Sequence, residues 1–490
     1  MRMNTGKYIL IIVAAIYSTG LIFGQAPEVS WFKSYGGAYL DEGQSIVMST
    51  DNQLMIAGYT YASVNGGSDI YLIKTNLYGE LIWQTYIGGI SDDWASSIQQ
   101  TSDGGFIVAG GTESFEVAGS DIYLVKINTD GQVLWQRTYG GDNSEQADYV
   151  LQTDDGGYIL VGWTNSFGAG EDDIYMLRTN SVGDSLWART FGDIFYDKGY
   201  SALQTSDGGF VVIGGLGYFG YYPTQAYMIK VDENGDSLWA CDIGGSLSDA
   251  GRSIAHTADG GFLFTGWTMS YGAGEHDVYL AKVDSEGEFL WSNAFGGEET
   301  DVGRSIYPTS DGGFIIAGYT RSFDVGLQDV YLVKADYKGD TLWTTTFGGD
   351  SDDYGWSAIE SADGGYLVTG WTRTFSQGSK DVLLVKFEPD HAVHIDNFDN
   401  LLSHSSVLHQ NYPNPFNDHT TISYSIQERQ HINLSIYDLL GREIRILVDE
   451  TVEPGSYSTA FNSSGLASGV YLCLLRAGNY SETKRMVLTK

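Results

Sequence analysis

The sequence predicts an all-β protein: a seven-bladed β-propeller followed by a small immunoglobulin-like β-sandwich. Three observations support this class. A turn of the type Asp-Gly-Gly-aromatic recurs every 52 residues without insertion or deletion. The composition suits short strands and tight turns, with 64 Gly, 7 Pro and 14% aromatic residues. A tryptophan keeps the same 52-residue step at Trp31, Trp83, Trp135, Trp187, Trp239, Trp291 and Trp343, and we interpret this series as packing between blades.

Each period reads as four short strands. In the third copy they are expected at 146–152, 158–163, 173–178 and 185–191. The turn Asp154-Asp155-Gly156-Gly157 joins the first two, because glycine accepts the positive φ of a tight hairpin. The second strand is apolar on both faces, as in a sheet covered above and below. Four such strands describe a propeller blade; a β-solenoid is the alternative, but its coils are usually shorter.

The two ends of the repeat array are predicted to close the ring. The chain enters the array at Trp31-Phe32-Lys33-Ser34-Tyr35, a fourth-strand sequence. It leaves the array at 381–386, a third-strand sequence without a following tryptophan. The first segment therefore completes the last blade and leaves no open sheet edge. The period resembles secreted bacterial propeller repeats of the Asp-Gly-Gly type.

Charge and targeting signals restrict the possible partners. The net charge of −36 disfavours nucleic acid and anionic membranes, which are polyanions. Residues 1–26 combine an early Arg2 and Lys7 with a short apolar run and small residues, as a secretory signal peptide does. No other apolar run is long enough to cross a bilayer, so we do not expect an integral membrane protein. Cys241 and Cys473 fall in different predicted domains, which disfavours a disulfide.

The predicted domains are the signal peptide at 1–26, the propeller at 27–387, a linker at 388–410 and a C-terminal sandwich at 411–490. The linker breaks the period and contains four of the eight histidines, which we interpret as solvated rather than as a metal site. The sandwich is expected to have strands at 422–426, 432–437, 443–448, 457–461, 471–475 and 485–488.

The C-terminal segment carries four ordered motifs. The first is Asn411-Tyr412-Pro413-Asn414-Pro415-Phe416, and the others begin at Leu434, Leu466 and Lys484. Residues from about 406 to 490 resemble the type A C-terminal sorting domain that the type IX secretion system of Bacteroidota reads. The resemblance implies secretion machinery as a partner, passage across the outer membrane, and retention at or release from the cell surface.

Candidate ligand residues are expected on the face that carries the longer loops, because function concentrates in loops held by a rigid scaffold. One candidate set is the aromatic at the end of the second strand, which we weigh as a sugar-stacking platform or as packing between blades: Tyr59, Trp163, Trp267, Tyr319 and Trp371. Another is the loop that departs from the repeat and is rich in aromatics, with Tyr218, Phe219, Tyr221 and Tyr222.

An acidic residue recurs at one position of every repeat, at Asp41, Asp93, Glu145, Asp197, Asp249, Asp301 and Asp353. These carboxylates are interpreted as acceptors that brace turns. A divalent cation such as calcium lacks a supporting motif, so no cofactor is predicted. The arginines are few, and Arg252 with Arg304 and Arg321 with Arg373 are repeat-equivalent pairs rather than a converging triad. We therefore expect an exported binding or scaffold protein for a glycan or a protein; the alternative is a secreted carbohydrate-active hydrolase or lyase.

Overall fold

The computed structural model describes residues 26–62, 66–115, 117, 119–217, 224–323 and 327–390 of the N-terminal part of the chain. In the C-terminal part it describes 407–408, 419–426, 429–438, 442–452, 455–464, 466, 469–477 and 480–488. The chain divides into two compact units, Met1–His391 and Ala392–Lys490.

The first unit consists of seven four-stranded antiparallel sheets, one per 52-residue period. Its strands in chain order are β1 (Val29–Tyr35), β2 (Asp41–Met48), β3 (Leu54–Thr60), β4 (Asp69–Thr75), β5 (Leu81–Ile87), β6 (Asp93–Gln100), β7 (Phe106–Thr112), β8 (Asp121–Ile127), β9 (Val133–Tyr139), β10 (Glu145–Gln152), β11 (Tyr158–Thr164), β12 (Asp173–Thr179), β13 (Ser185–Phe191), β14 (Lys198–Gln204), β15 (Phe210–Leu216), β16 (Gln225–Val231), β17 (Ser237–Ile243), β18 (Asp249–His256), β19 (Phe262–Thr268), β20 (Asp277–Val283), β21 (Phe289–Phe295), β22 (Asp301–Pro308), β23 (Phe314–Thr320), β24 (Asp329–Ala335), β25 (Thr341–Phe347), β26 (Asp353–Glu360), β27 (Tyr366–Thr372) and β28 (Asp381–Phe387). Blades 1 to 6 take four consecutive strands each, from β2 to β25.

Blade 7 joins the two ends of the array, which confirms the predicted closure. Its sheet has the order β1-β28-β27-β26. β1 pairs antiparallel with β28, with Phe32 opposite Val385 and Tyr35 opposite Val382. The outer edge of β28 is therefore paired, and the predicted seven-bladed propeller is confirmed.

The core lies between neighbouring blades. The second and third strands of a blade are buried along their length, as β3 and β4 show, whereas the outer strand β5 is largely exposed. The recurring tryptophan packs across the junction: a Cβ placed on Gly131 would lie 2.8 Å from the Trp83 ring. Gly131 has a φ of 79°, so both its turn and this contact require glycine. Trp343 is buried and the other six tryptophans of the series are half-buried, which fits their interpretation as packing between blades.

The Asp-Gly-Gly turn is locked by a basic residue of the third strand. In blade 6, Lys334 Nζ lies 2.8 Å from Asp311 Oδ1, and Asp311 also accepts a hydrogen bond from the Gly313 backbone N–H. The same ion pair joins Lys74–Asp51, Lys126–Asp103, Arg178–Asp155, Lys230–Asp207, Lys282–Asp259 and Lys386–Asp363. The aspartate therefore recurs because it holds the hairpin and pairs with a buried cation.

The second unit consists of two antiparallel sheets around one apolar core. Its described strands are β29 (Val407–Leu408), β30 (His419–Ile426), β31 (Gln430–Asp438), β32 (Glu443–Val452), β33 (Gly455–Asn462), β34 (Gly469–Ala477) and β35 (Tyr480–Leu488). One sheet has the order β29-β30-β33 and the other β32-β31-β34-β35. Ile422 of the first sheet and Leu434 and Leu475 of the second share the core, as a β-sandwich requires. In the described parts of both units, no helix is long and apolar enough to span a membrane.

Candidate functional site

The first strands of the seven blades surround a central cavity of about 400 Å³, within the size range of ligand sites. Each first strand contains a β-bulge at the same repeat position, such as the register shift between Gly43 and Ser45. The bulge leaves one residue per blade outside the ladder, and all seven of these residues line the cavity. They are Gln44, Ser96, Asp148, Tyr200, Arg252, Arg304 and Trp356.

The residues around each bulge are repeated because they join the blades. The preceding residue is glycine or alanine, and a Cβ on Gly251 would lie 2.3 Å from an atom of Ile213 in the neighbouring blade. The following residue is serine in six blades, and Ser253 Oγ accepts a hydrogen bond from the Ile306 backbone N–H at 3.2 Å. Between these two repeated positions, the bulge residue differs from blade to blade. The flanking residues are repeated because they contact the neighbouring blade. The bulge residue is not restricted in this way, and its variation indicates contact with a ligand.

Two guanidinium groups enter the cavity beside aromatic rings. Arg252 Cζ lies 3.8 Å from the centroid of the Tyr200 ring, and Arg304 Cζ lies 4.4 Å from the Trp356 ring. The Nε atoms of both arginines and the Nε1 atom of Trp356 are buried without a hydrogen-bond partner among the described residues. Burial lowers the pKa of Arg252 below its usual range. The cavity therefore contains positive charge that the surrounding protein does not fully solvate.

Asp148 is the one carboxylate among the seven bulge residues. Its Oδ1 accepts a hydrogen bond from Gln146 Nε2 at 3.0 Å, and its Oδ2 is buried without a partner in the described chain. Burial raises the pKa of Asp148 to about 6, although Lys198 and Arg252 act in the opposite direction. The group therefore titrates close to neutral pH.

The aromatics predicted at the end of the second strand pack between blades. Trp267, Tyr319 and Trp371 are buried, and Tyr59 and Trp163 are half-buried. Tyr319 stacks on Tyr354 of the next blade, with ring centroids 4.1 Å apart. Three of the five rings are therefore buried by the fold, whereas Tyr59 and Trp163 keep part of their surface exposed.

The acidic ring consists of buried acceptors. Asp301 Oδ2 accepts hydrogen bonds from the Gly297 backbone N–H and from Ser322 Oγ, both at 2.7 Å. The equivalent backbone bond from the residue four positions earlier reaches Asp41, Asp93, Glu145, Asp197, Asp249 and Asp353. These hydrogen bonds connect each acid to the turn that precedes its strand.

Several predicted site residues lie outside the described part of the chain. These are Tyr218, Phe219, Tyr221 and Tyr222 of the divergent loop and Asn411, Tyr412, Pro413, Asn414, Pro415 and Phe416 of the sorting motif. The described residues that flank the loop, Gly217 and Thr224, line a small pocket together with Lys198 and Tyr200. These two flanking residues therefore lie near Tyr200, one of the bulge residues of the cavity.

The residues that line the central cavity were not among the ligand candidates predicted from the sequence. Those candidates were residues that recur in the repeats and one divergent loop, whereas the cavity is lined at a strand position that varies from blade to blade. Aligning the repeats would have revealed one variable column between a glycine or alanine and a serine. Its chemical content, with Tyr200, Arg252 and Trp356, would then have indicated a site.

Comparison with known proteins supports the C-terminal resemblance. Residues 410–489 match the family described as secretion system C-terminal sorting domain. The regulatory protein FlaEY of Caulobacter vibrioides is 28% identical over 150 residues, a match that covers 27% of this chain and 16% of that protein. An uncharacterised WD repeat-containing protein of Acanthamoeba polyphaga mimivirus is 18% identical over 477 residues, covering 64% of this chain and 34% of that protein. This chain therefore spans well under half the length of either relative.

One solved structure is similar to part of this chain at low identity. PorZ, described as an essential bacterial surface component of the type-IX secretion system of Porphyromonas gingivalis, has a TM-score of 0.41 and 15% identity. The match covers 90% of this chain and 58% of PorZ. The sorting-domain match itself implies export, attachment to or release from the outer surface, and interaction with the secretion machinery. Residues 410–489 are thus a secretion system C-terminal sorting domain, carried behind a seven-bladed β-propeller.

Proposed function

We propose that this protein is an exported propeller that binds a glycan in its central cavity. One observation carries the proposal: the bulge position is the one first-strand column that lines the cavity, differs between blades and sits between repeated structural residues. Its residues combine aromatic rings with planar polar groups. Such sets suit a sugar, which presents apolar ring faces and hydroxyl groups together.

The cavity favours a glycan over a folded protein ligand. A space of about 400 Å³ admits a few sugar units or the end of a chain, whereas a protein would cover a whole face. On the long-loop face, exposed aromatics such as Phe167 and Tyr271 recur in register and stack on the third-strand tyrosines Tyr175 and Tyr279. Their recurrence indicates a structural role.

The test is a substitution that places a large side chain in the cavity. Ser96→Trp introduces at one bulge the side chain that Trp356 already provides at another, so the fold has a precedent for it. We expect the variant to melt near the parent temperature and to lose at least tenfold in affinity for any glycan that the full-length protein binds on an array, about 1.4 kcal/mol. Tyr271→Ser, on the long-loop face, is the matched control and should bind as the parent does.

Two outcomes reject the proposal. One is a full-length protein that binds no glycan on the array. The other is the reverse pattern, in which Ser96→Trp binds normally and Tyr271→Ser loses binding, because the ligand then sits on the loop face.

A carbohydrate-active hydrolase or lyase that uses the same cavity is the second candidate. Asp148, Tyr200 and Arg252 occupy consecutive bulges, and a carboxyl group with a pKa of about 6 suits general acid–base catalysis. The seven bulge residues provide one carboxylate, however, whereas most glycosidases use two. Incubation with each bound glycan distinguishes the two candidates. New reducing ends or unsaturated sugars that form with the parent protein and not with Asp148→Asn would establish an enzyme.

A further inference from the structure

Four consecutive blades place Tyr200, Arg252, Arg304 and Trp356 next to one another around the cavity. Each arginine lies over the aromatic residue on its outer side, Arg252 over Tyr200 and Arg304 over Trp356. The two guanidiniums are thus adjacent in the ring and are flanked by rings on both sides. Stacking fixes a guanidinium plane while leaving its donors free to bind a planar anion.

The charge of Asp148 acts on these two arginines without forming an ion pair with either guanidinium. Arg178 and Arg373 each pair with an aspartate at 2.5 and 2.7 Å, whereas no ion pair between described residues includes Arg252 or Arg304. The nearest carboxylate of the ring, Asp148, stands two blades from Arg252. Two half-buried like charges without a counterion are costly unless an anionic ligand completes the site.

The two arginines of the cavity are adjacent positive charges in a strongly acidic protein. The chain has 62 acidic and 26 basic side chains, and its net charge is −36. A large polyanion would be repelled by this field. A small ligand with one acidic group per sugar avoids most of that repulsion and gains the contacts with both guanidiniums inside the cavity.

We propose that the ligand is an acidic sugar whose carboxylate or sulfate group binds between Arg252 and Arg304. This inference rests on the proposed binding of a glycan in the cavity. The opposite side of the ring, with Gln44, Ser96 and Asp148, offers uncharged donors and acceptors together with one carboxyl group, and this side faces the sugar hydroxyls.

The experiment compares sugars that differ only at carbon 6. Titration calorimetry of the full-length protein with glucuronate, glucose 6-sulfate and glucose oligosaccharides of equal length should show binding of an acidic form at least tenfold tighter than that of glucose. The first two arms distinguish a carboxylate from a sulfate ester. Arg252→Gln and Arg304→Gln should each reduce the ratio of acidic-sugar affinity to neutral-sugar affinity to near one.

Arg373→Gln is the matched control, because it removes the same charge outside the cavity, where Arg373 pairs with Asp352. It should retain the preference for the acidic sugar. If the cavity binds neutral glycans, as shown by their loss in Ser96→Trp, and acidic ones bind no better, the inference is wrong while the proposed function stands. Equal loss of preference in Arg373→Gln would also overturn it, since long-range charge would then explain the effect.

Discussion

Arg252 covers the ring of Tyr200, with 3.8 Å between its guanidinium carbon and the ring centroid, although the two residues belong to different blades. The contact links the bulge of blade 5 to that of blade 4. Both residues stand at the bulge position, which differs from blade to blade, so the other blades do not repeat this contact.

Tyr200→Phe and Tyr200→Ala should separate the ring from the hydroxyl. Phenylalanine keeps the face on which Arg252 stacks, so acidic-sugar affinity should change little. Alanine removes a cation–π contact of about 0.5–2 kcal/mol and frees the guanidinium, so affinity should fall by roughly two- to thirtyfold. Titration calorimetry measures both. Equal losses in the two variants would assign the effect to the hydroxyl instead of the stacking.

Asp148 should make the binding of an acidic ligand depend on pH. Its pKa is raised to about 6, mainly by burial, so it is ionised at pH 8 and mostly protonated at pH 5. The ionised form repels an anionic ligand in the same cavity. Affinity should therefore increase as the pH falls from 8 to 5, while Asp148→Asn should bind tightly and evenly across that range. A parent profile as flat as that of the variant would contradict this role.

The fold could be predicted from the sequence because the same blade pattern occurs seven times. The step of Trp31 to Trp343, the Asp-Gly-Gly turns and the phase of the two ends each follow from one blade geometry. The locking cation of the third strand was visible in the same columns, at Lys126 and Lys334, but its partner depends on the fold of the hairpin.

The candidate site was not predictable from the same signal. A β-bulge depends on the register between two strands, and a variable column in the repeats does not show by itself that its residues leave the ladder and line a cavity. The role of Trp267 and Trp371 likewise depends on their burial. An aromatic side chain at a strand end stacks on a neighbouring residue or on a ligand, depending on which residues of the next blade lie beside it. In a repeat protein, a ligand site is indicated by a position that varies while its neighbours in the repeat stay the same.

The turn lock should contribute measurably to stability. Lys334 is buried and donates to Thr309 Oγ1 and Asp311 Oδ1, while the Asp311 side chain is half exposed. Lys334→Met should reduce the free energy of unfolding by about 1.5–3 kcal/mol, the usual cost of losing a hydrogen bond to a charged group. Denaturant titration measures it. Lys338→Met, on an exposed turn of the same blade, should have almost no effect. Equal losses of stability in the two variants would mean that the contact between Lys334 and Asp311 adds no specific stability.

The same locks predict acid sensitivity. Hydrogen bonds from Lys230 and Lys282 lower the pKa of Asp207 and Asp259 to about 2 from an ordinary 3.8. A lowered pKa in the folded state stabilises the protein above pH 3.8, and that contribution is lost as the pH falls from about 4 to 2. Melting temperature should therefore decrease steeply in this window and less steeply in Lys230→Met, where one lock is already absent.

The last prediction concerns the junction between blades 2 and 3, where Asp121 approaches Glu145. A Cβ on Gly140 would lie 2.1 Å from Asp121 Oδ1 and 2.6 Å from Glu145 Oε2, so the two acids flank the same glycine. Burial, with a smaller contribution from the charge of Glu145, raises the pKa of Asp121 to about 6 from an ordinary 3.8. The folded state thus holds a proton that the unfolded chain releases, and this stabilisation is complete below pH 3.8 and lost as the pH rises through 6. Blade 4 carries Gln225 at the equivalent position, so the fold accepts an amide there. Asp121→Asn should therefore fold, be more stable than the parent at pH 8, and show a smaller loss of stability between pH 4 and pH 7 in denaturant titrations. Asp130→Asn, on an exposed turn of blade 2, is the control and should leave the pH profile unchanged. A variant whose profile parallels that of the parent would show that Asp121 does not hold the proton on which this prediction depends.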